Sequence, residues 1–520
     1  MEWIFWALGV VCGGLLLFML DVARVIWWKP LQVKKCFECQ GIRGPPYRLF
    51  YGNTPDIARM RKEESSKPMP VLSHDIVPKV LPHYHRWTKA YGQDFIHWIG
   101  CRARINVPHP ELIKEIMLNK FGHYEKVHSN NPLARQLVGQ GLVGLRGEKW
   151  AQHRRTINPA FRMELLKGMI PTMMKSSANM LEQWSKLVMS GASEIEVLNE
   201  FRNLTADVIA RTAFGSSYAD GDHIFNMQAK QMVLTSELFG SVYIPGFRFL
   251  PTKKNRQRWH LEKEIRRCVR QVIESRNNIA AIEKSGCYGT DLLGLMMSAS
   301  NENVGGNLKG NPRMTVEEII DECKTFYLAG HETSSILLTW TMILLGIHQD
   351  WQERARREVL EVCGKNNYPN ADSISCLKTV GMILNETLRL YPPALFLMRQ
   401  TYKPMKLGKL SIPAGTELMI PIVAIHHDPI LWGNDVNDFN PERFNEGISK
   451  AAKHPMAFMP FGLGPTTCVG QNFALLEAKV ALAMILQRFS FVTSPSYTHS
   501  PIQLLTLRPQ YGAQIILHMG

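Results

Sequence analysis

Phe461-Gly-Leu-Gly-Pro-Thr-Thr-Cys468-Val-Gly470 is the stretch of this 520-residue chain that decides its fold. It places one cysteine on a glycine-rich turn, directly before the apolar, helix-forming segment Gln471 to Phe489. A sulfur at a helix N-terminus lies near unpaired backbone N–H groups and the positive end of the helix dipole, which stabilise a thiolate. The sequence therefore predicts a cysteine that can serve as one strong anionic ligand of a metal.

A long hydrophobic helix is predicted upstream, from Thr315 to about His348. Thr315-Val-Glu-Glu318 is a capping box, and apolar residues recur at helical spacing after it. About thirty-three residues at a rise of 1.5 Å give a rod of roughly 50 Å, enough to cross a whole domain. The middle of this helix reads Ala329-Gly-His-Glu332-Thr333-Ser334. A glycine, an acid and a hydroxyl are locally unfavourable in an apolar helix, which indicates a function.

Two further motifs combine charged side chains. In Leu384 to Pro393, Glu386 and Arg389 lie at i and i+3 on one helix face, and the helix is predicted to end before the prolines. Asn440-Pro-Glu-Arg443-Phe444 follows downstream, and in Gly147 to Arg155 an indole and a guanidinium, those of Trp150 and Arg154, lie one turn apart. The latter spacing suits the binding of a carboxylate.

In this combination, the motifs resemble those of the cytochromes P450. The glycine-rich cysteine loop is similar to the loop with which that family holds haem iron through a cysteine thiolate. The resemblance implies a mainly α fold with small β-sheets (α+β), preceded by one N-terminal transmembrane helix. It also implies haem b (iron protoporphyrin IX) as the cofactor, Cys468 as its metal ligand, and a cofactor-binding loop that includes Phe461, Gly462, Gly464, Cys468 and Gly470.

The central-helix motif resembles the oxygen-activation motif of the family, whose small residues make space for dioxygen. On that resemblance, the catalytic residues are Thr333, which hydrogen-bonds during oxygen activation, and Glu332, which helps to relay protons. The alternative is a threonine that bonds back to its own helix, beside a glutamate on the surface.

Haem propionates are expected to bind Trp150 and Arg154, which resemble the family's Trp-x-x-x-Arg element, and Arg399, although each arginine could equally face solvent. Glu386, Arg389 and Arg443 resemble the family's buried Glu-Arg-Arg network, whose role is structural because an unpaired buried charge is strongly destabilising.

Thr466 departs from the family pattern. Many members have arginine or histidine two residues before the cysteine, where the basic side chain pairs with a propionate. Threonine offers only a neutral hydrogen bond, so one haem contact is in doubt, and replacement of Thr466 by arginine is expected to slow haem dissociation.

The N-terminus predicts a membrane anchor. Trp3 to Leu20 carries no charge, and Trp27, Trp28 and several basic residues follow it. A secretory signal peptide is the alternative, but no Ala-x-Ala-like cleavage site follows. We therefore expect an anchor at residues 1–28, a basic and proline-rich hinge at 29–46 and a catalytic domain at 47–520. The positive-inside bias and the resemblance predict a single-pass protein of the endoplasmic reticulum membrane whose catalytic domain faces the cytosol.

The net charge of +15 comes from scattered basic residues, and no nucleic-acid-binding module is evident in the sequence, so we expect no nucleic acid partner. The chain also lacks a strand-linked Gly-x-Gly-x-x-Gly fingerprint for NADPH. The resemblance implies that electrons come from NADPH through NADPH-cytochrome P450 reductase, with cytochrome b5 as an additional partner. Membrane lipid, O₂ and a hydrophobic small molecule complete the expected partners.

Further stretches, 142–150, 245–255 and 506–512, resemble a plant clan that includes brassinosteroid-inactivating hydroxylases, gibberellin oxidases and terpenoid oxidases. A terpenoid or steroid-like substrate and its monooxygenation are therefore expected. The segments expected to contact it are 127–142, 234–249, 326–329, 394–398 and 502–505. Two other functions are open: a haem-thiolate isomerase or dehydratase that acts on a peroxide without a reductase, and a non-enzymatic haem- or sterol-binding membrane protein.

Overall fold

The structure is a computed structural model, and it describes residues 2–70, 72–119, 122–127, 132–215, 218–240, 243, 246–282, 288–300 and 314–520. Its α-helices are α1 Glu2–Ala23, α2 Lys29–Glu38, α3 Thr54–Ser65, α4 Val77–Val80, α5 Pro82–Tyr91, α6 Pro110–Leu118, α7 Pro132–Val138, α8 Gly147–Ile157, α9 Met163–Met189, α10 Val197–Phe214, α11 Tyr218–Ser236, α12 Lys253–Ile282, α13 Leu292–Ser298, α14 Val316–Ile347, α15 Gln349–Cys363, α16 Ala371–Cys376, α17 Lys378–Leu390, α18 Ile422–His426, α19 Pro429–Trp432 and α20 Gln471–Arg488.

Twelve short strands complete the described fold: β1 Ile96–Ile99, β2 Arg102–Asn106, β3 Tyr124–Lys126, β4 Glu194–Glu196, β5 Leu397–Thr401, β6 Met405–Leu407, β7 Leu410–Ile412, β8 Glu417–Ile420, β9 Phe489–Thr493, β10 Pro501–Gln503, β11 Leu507–Pro509 and β12 Gln514–Met519. They form a five-stranded sheet in the order β1-β2-β8-β5-β3, a three-stranded sheet β4-β12-β9, and two hairpins, β6-β7 and β10-β11. Only β2 and β8 pair in parallel among these strands. The prediction of a mainly α fold with small sheets is confirmed.

The central helix α14 begins with the predicted capping box. The Thr315 side chain accepts a hydrogen bond from the Glu318 backbone N–H, and the Glu318 side chain accepts one from the Thr315 backbone N–H. The helix ends at Ile347, followed by His348, as the apolar pattern predicts. It packs along α10 and also contacts α17 and α20. The two segments that carry the site motifs, α14 and the N-terminus of α20, therefore meet in the core.

Glu386 and Arg389 of the predicted charge network are fully buried, and Arg443 is partly buried. Arg389 donates from Nε and Nη2 to the two carboxylate oxygens of Glu386, both at 2.7 Å, and its Nη1 donates to the Val436 carbonyl at 2.7 Å. Arg443 Nε lies 3.5 Å from Glu386, while its Nη2 pairs at 2.6 Å with Asp435, a member that the sequence motif does not contain.

The stretch predicted as a hinge, residues 29–46, is helical over its first ten residues. A π-helical turn, Arg24–Trp28, joins α1 to α2, and Pro30 lies in the first turn of α2. The non-helical remainder packs on the β6-β7 hairpin, because Gln40 and Ser411 exchange hydrogen bonds at 2.6 and 3.0 Å. By length and composition, one helical stretch, Trp3–Glu38, could cross a membrane among the residues described.

A buried carboxyl lies where α20 crosses α14. Glu477 of α20 lies beside the Ser334 hydroxyl of α14, and in the described part of the chain neither residue's buried oxygens have a well-formed hydrogen bond. Burial raises the pKa of Glu477 to about 8, against the opposing effect of Ser334. The group is therefore predominantly protonated at neutral pH.

We predict that Glu477→Gln removes a pH dependence of stability. The unfolded carboxyl ionises near its ordinary value of 4.5 and the folded one near 8, so wild-type stability falls as pH rises between these values. One pKa unit corresponds to about 1.4 kcal/mol. The difference in the free energy of unfolding, Glu477→Gln minus wild type, should therefore increase by about 1.4 kcal/mol for each pH unit. Unfolding curves from pH 5 to about 8, with the exposed Glu361→Gln as control, test this; parallel curves for both variants would contradict it.

Candidate active site

The cysteine loop is shaped by backbone contacts. Its Gly464 has φ 68°, and a Cβ atom there would lie 2.2 Å from the Met117 carbonyl oxygen, so only glycine fits this approach to α6. The Cys468 N–H donates to the Phe461 carbonyl at 2.9 Å and closes the loop directly before α20. Gly462, at φ 74°, also requires the left-handed region.

Gly470 differs from these two glycines. It precedes α20 with φ −89°, and a Cβ atom would meet only the Phe161 ring at 3.8 Å. Contacts within the chain therefore require glycine at position 464 but not at position 470. The role of these glycines in cofactor binding stays a prediction.

Without a metal ion, the pKa of the Cys468 thiol lies above the ordinary value of a cysteine. Burial raises its pKa, while the Gly470 backbone amide and the Arg154 guanidinium act to lower it. The helix N-terminus helps the thiolate, as the sequence predicts, but it does not outweigh desolvation. A metal ion would deprotonate the sulfur outright.

One face of α14 is open toward the interior of the domain. From Ile319 to Gly346 every residue is buried except Ala329, Gly330 and Thr333. Cys468 is likewise exposed, although its loop lies within the fold. The Phe161 ring stacks on Phe326 of α14 at 5.7 Å. Ala329 and Thr333 of α14, and Cys468 directly before α20, are thus exposed residues of two segments whose helices pack together.

Gly330 has a packing role that the sequence did not indicate. A Cβ atom there would lie 2.8 Å from Ile209 Cγ1, so the glycine permits the close crossing of α14 and α10. Ala329 is the small residue on the open face. The Thr333 hydroxyl donates to the Ala329 carbonyl at 2.8 Å, the back-bonded arrangement that was the alternative for this residue.

Predicted basic residues lie around the cysteine loop. Arg154 Nη1 donates to the Thr467 carbonyl at 2.7 Å, and Arg399 Nη2 donates to Thr466 Oγ1 at 2.7 Å. Thr466 is therefore the acceptor that orients Arg399. An arginine at this position would remove that acceptor and add a like charge, so the expected benefit of Thr466→Arg loses its premise.

Lys126 is a cation of this site that sequence reasoning missed. It pairs with Arg399 in the β3–β5 register, its Nζ lies 5.4 Å from the centre of the Trp150 ring, and it donates to the Leu142 carbonyl at 2.7 Å. Burial, Arg399 and Arg154 lower the pKa of Lys126 to about 7. Its position depends on strand register, for which three residues of β3 give no sequence signal.

These residues fit haem. Among the described residues, Lys126, Arg154 and Arg399 form no ion pair with a carboxylate, and burial lowers the pKa of Arg399 to about 10. Such cations require a buried anionic partner, and the two carboxylates of a haem provide it. Cys468 on the open surface supplies the single thiolate. In the part of the chain that is described, no cluster of three or more histidine, cysteine or acidic residues offers another metal site.

Glu332, by contrast, points away from this open face. Its Oε1 accepts hydrogen bonds from Arg508 Nη2 and Thr506 Oγ1, both at 2.6 Å, and its Oε2 lies 3.8 Å from Arg202. Burial acts to raise its pKa, but the guanidinium groups of Arg508 and Arg202 lower it below the ordinary value. The carboxylate is buried and ion-paired, which differs from the surface glutamate of the alternative interpretation.

Four elements meet in a small apolar cluster, separate from the main core. It contains Leu137 of α7, Met232 of α11 and Leu328 of α14, with Leu505 of the β10–β11 hairpin packed against them. Leu328 directly precedes Ala329. Each of the four lies in or next to a segment expected to contact substrate; parts of two such segments, residues 128–131 and 241–242 with 244–245, lie outside the described residues.

Comparisons with known proteins agree with this geometry. The sequence model described as "Cytochrome P450" matches residues 74–517. The chain is 50% identical to "Cytochrome P450 734A1" of Arabidopsis thaliana, over 94% of this chain and 92% of that one. It is 48% identical to "Cytochrome P450 CYP72A616" of Paris polyphylla, over 96% of each.

A solved structure shares the fold. The haem domain of "cytochrome P450DA" superposes with a TM-score of 0.74 at 25% identity, covering 87% of this chain and 97% of that one. The predicted P450 fold and haem cofactor are thereby confirmed. With a thiol on the glycine loop, three cations that lack an acidic partner among the described residues and an open face on the central helix, the chain belongs to the cytochrome P450 family of haem-thiolate monooxygenases.

Proposed function

We propose that this enzyme inserts one oxygen atom from O₂ into an apolar, terpenoid or steroid-like small molecule. The observation that carries the substrate class is the apolar cluster of Leu137, Met232, Leu328 and Leu505, in which Leu328 directly precedes Ala329 of α14. Apolar side chains from four separate elements favour a rigid, hydrophobic ligand. The resemblance to the plant clan of steroid- and terpenoid-oxidising members supports the same class.

The residues around the cysteine loop have distinct roles in this proposal. Haem supplies the oxidising chemistry, which a cysteine thiolate ligand promotes by favouring O–O cleavage. Cys468 holds the iron, and Arg154, Arg399 and Lys126, with Trp150, hold the haem carboxylates. Thr466 orients Arg399. The loop residues Phe461, Gly462, Gly464 and Gly470 fix the backbone that presents the sulfur.

Thr333 is the residue we propose for proton handling. Its hydroxyl lies on the open face, and it can exchange the hydrogen bond to the Ala329 carbonyl for one to a ligand or a water molecule by rotation about χ1. The proposal that Glu332 relays protons stays a prediction, and its ion pair with Arg508 favours the different role argued below.

Redox partners of the family deliver electrons, and we propose NADPH-cytochrome P450 reductase as the principal donor, with cytochrome b5 as an additional one. The apolar helix and the exposed pair Trp27 and Trp28 support membrane anchoring. We further propose that the chain is a single-pass protein of the endoplasmic reticulum membrane, with its catalytic domain in the cytosol.

We predict oxygenated products when microsomes that contain this protein and the reductase receive NADPH and a panel of terpenoids and steroids. Mass spectrometry under ¹⁸O₂ should find one labelled oxygen atom per insertion. Cys468→Ala should abolish both product and the thiolate-type spectrum of the ferrous carbon monoxide complex. Turnover of a peroxide without NADPH, in place of these products, would instead identify an isomerase or dehydratase.

Lys126→Met should accelerate haem loss by about tenfold, because a buried charge-assisted hydrogen bond of about 1.4 kcal/mol is removed. Transfer of haem to excess apomyoglobin measures the rate. Lys126→Arg should stay close to wild type, and the exposed Lys114→Met provides the control. An unchanged rate in Lys126→Met would remove this residue from the haem site.

For Thr333→Ala, we expect haem binding to be retained while NADPH consumption is diverted to peroxide or water. The ratio of product to NADPH measures this coupling. Thr339→Ala is the matched control, because Thr339 makes the same back-bond within α14, to Ser335 at 2.7 Å, from a buried position. Thr333→Ser should restore coupling; equal coupling in Thr333→Ala and wild type would exclude Thr333 from proton delivery.

A further inference from the structure

The Glu332 carboxylate joins the central helix to a hairpin far away in sequence. Arg508 donates to Glu332 Oε1 from Nε at 3.0 Å and from Nη2 at 2.6 Å, and Thr506 donates to the same oxygen at 2.6 Å. Thr506 is the last residue of the turn of the β10–β11 hairpin, and Arg508 lies in β11. Glu332 therefore receives three hydrogen bonds from one short segment.

The ion pair of Glu332 and Arg508 also contacts residues of α11 and α10. Arg508 Nη2 lies 3.2 Å from the Met232 sulfur of α11, and Arg202 of α10 approaches Glu332 at 3.8 Å. All these side chains except that of Arg202 are buried. Because a buried ion pair is directional and strongly destabilised when one partner is lost, it sets the relative position of the elements that it joins.

The elements joined in this way also form the apolar cluster. Leu505 of the hairpin directly precedes Thr506, and it packs with Met232 and Leu328. Met232 thus contacts both Arg508 and the cluster, and Leu328 lies one helical turn before Glu332 on the same helix. The ion pair lies behind the surface that we assign to the substrate.

We propose that Arg508 and Glu332 are positioning residues, which fix the β10–β11 hairpin against α14 and α11 and thereby set the size of substrate that the cavity accepts. This inference rests on the proposed function, because it takes the apolar cluster as part of the substrate cavity. The proposal predicts that the Arg508–Glu332 pair affects the affinity for a bulky apolar ligand that touches Leu505 and Met232. The affinity for a small ligand at the iron should not depend on the pair.

Two hydrogen bonds to the Leu507 backbone hold the first residue of β11, next to the turn of the hairpin, when the pair is removed. Trp340 Nε1 of α14 donates to the Leu507 carbonyl at 2.9 Å. The Leu507 N–H donates to the Pro393 carbonyl at 3.1 Å. Loss of the ion pair should therefore loosen the turn around Leu505 without detaching β11.

The first experiment compares two azoles that bind the haem iron through nitrogen, imidazole and the bulky clotrimazole, by spectral titration of the haem-loaded protein. Arg508→Met and Glu332→Gln should each weaken clotrimazole about tenfold and imidazole less than about twofold, since only the larger ligand loses packing. The double variant should be no weaker than Arg508→Met alone, because the two residues act as one unit. Arg354→Met, which removes the exposed pair with Glu442, should match wild type.

Hydrogen exchange provides a readout that needs neither haem nor activity. Amides of residues 502–506 should exchange faster in Arg508→Met than in wild type, and Arg508→Lys should lie between them. If Arg508→Met does not fold, Thr506→Val, which removes one hydrogen bond and no charge, should shift both measurements in the same direction by a smaller amount.

Unchanged clotrimazole binding and unchanged exchange in Arg508→Met would overturn the proposal. So would a loss of clotrimazole affinity in Arg508→Met that Glu332→Gln does not share. A Glu332→Gln variant with wild-type azole binding and poor coupling of NADPH to product would assign Glu332 to proton delivery instead. Failure of the wild-type protein to give any azole spectrum would count against the proposed function, and the exchange measurement would then decide the role of Arg508 alone.

Discussion

The need to compensate charge in the interior is the constraint on which this structure depends. Glu386 and Arg389 are fully buried, and the chain supplies every partner that the guanidinium needs from its own carboxylate and backbone carbonyls. Such a pair can hold elements in place, because it is costly to leave either charge alone. Arg399 is also buried, and Lys126 beside it is half-buried, yet neither has an acidic partner in the described residues. The first arrangement indicates architecture, whereas the second indicates a ligand that the chain must acquire.

This distinction gives the cofactor a part in folding. An anionic cofactor held by the three cations and Cys468 would stabilise the folded state, since a ligand that binds the folded state and not the unfolded one shifts the equilibrium toward folding. It also changes the cysteine. Without a metal, desolvation outweighs the helix N-terminus and keeps the thiol protonated, so the thiolate is a property of the loaded site and not of the loop by itself.

Local features of this molecule could be predicted from the sequence, and contacts between distant segments could not. The capping box at Thr315, the end of α14 and the cysteine before α20 each lie in a few consecutive residues, so spacing was sufficient. The burial of Glu386 with Arg389 was expected from the family resemblance. Lys126 enters the site through strand pairing with Arg399, and Arg508 reaches Glu332 across 176 positions. The hydrophobic periodicity of the segments around Lys126 and Arg508 does not predict these pairings. Thr466 is similar, because its departure from the family pattern makes sense only beside Arg399.

Gly330 has a packing role that its motif does not indicate. Gly330 lies in the motif associated with space for dioxygen, yet its missing side chain admits Ile209 of α10, so that the neighbouring Ala329 is the small residue on the open face. A close crossing at this point brings Arg202 of α10 toward Glu332 of α14. Gly330 thus helps to place Arg202 beside Glu332, the carboxylate that the C-terminal hairpin also contacts. Thr333 follows Glu332 directly, so an interaction that fixes the backbone at Glu332 also fixes it at Thr333. The orientation of the open face therefore depends on the ion pair between Glu332 and Arg508, although this pair does not contact the face.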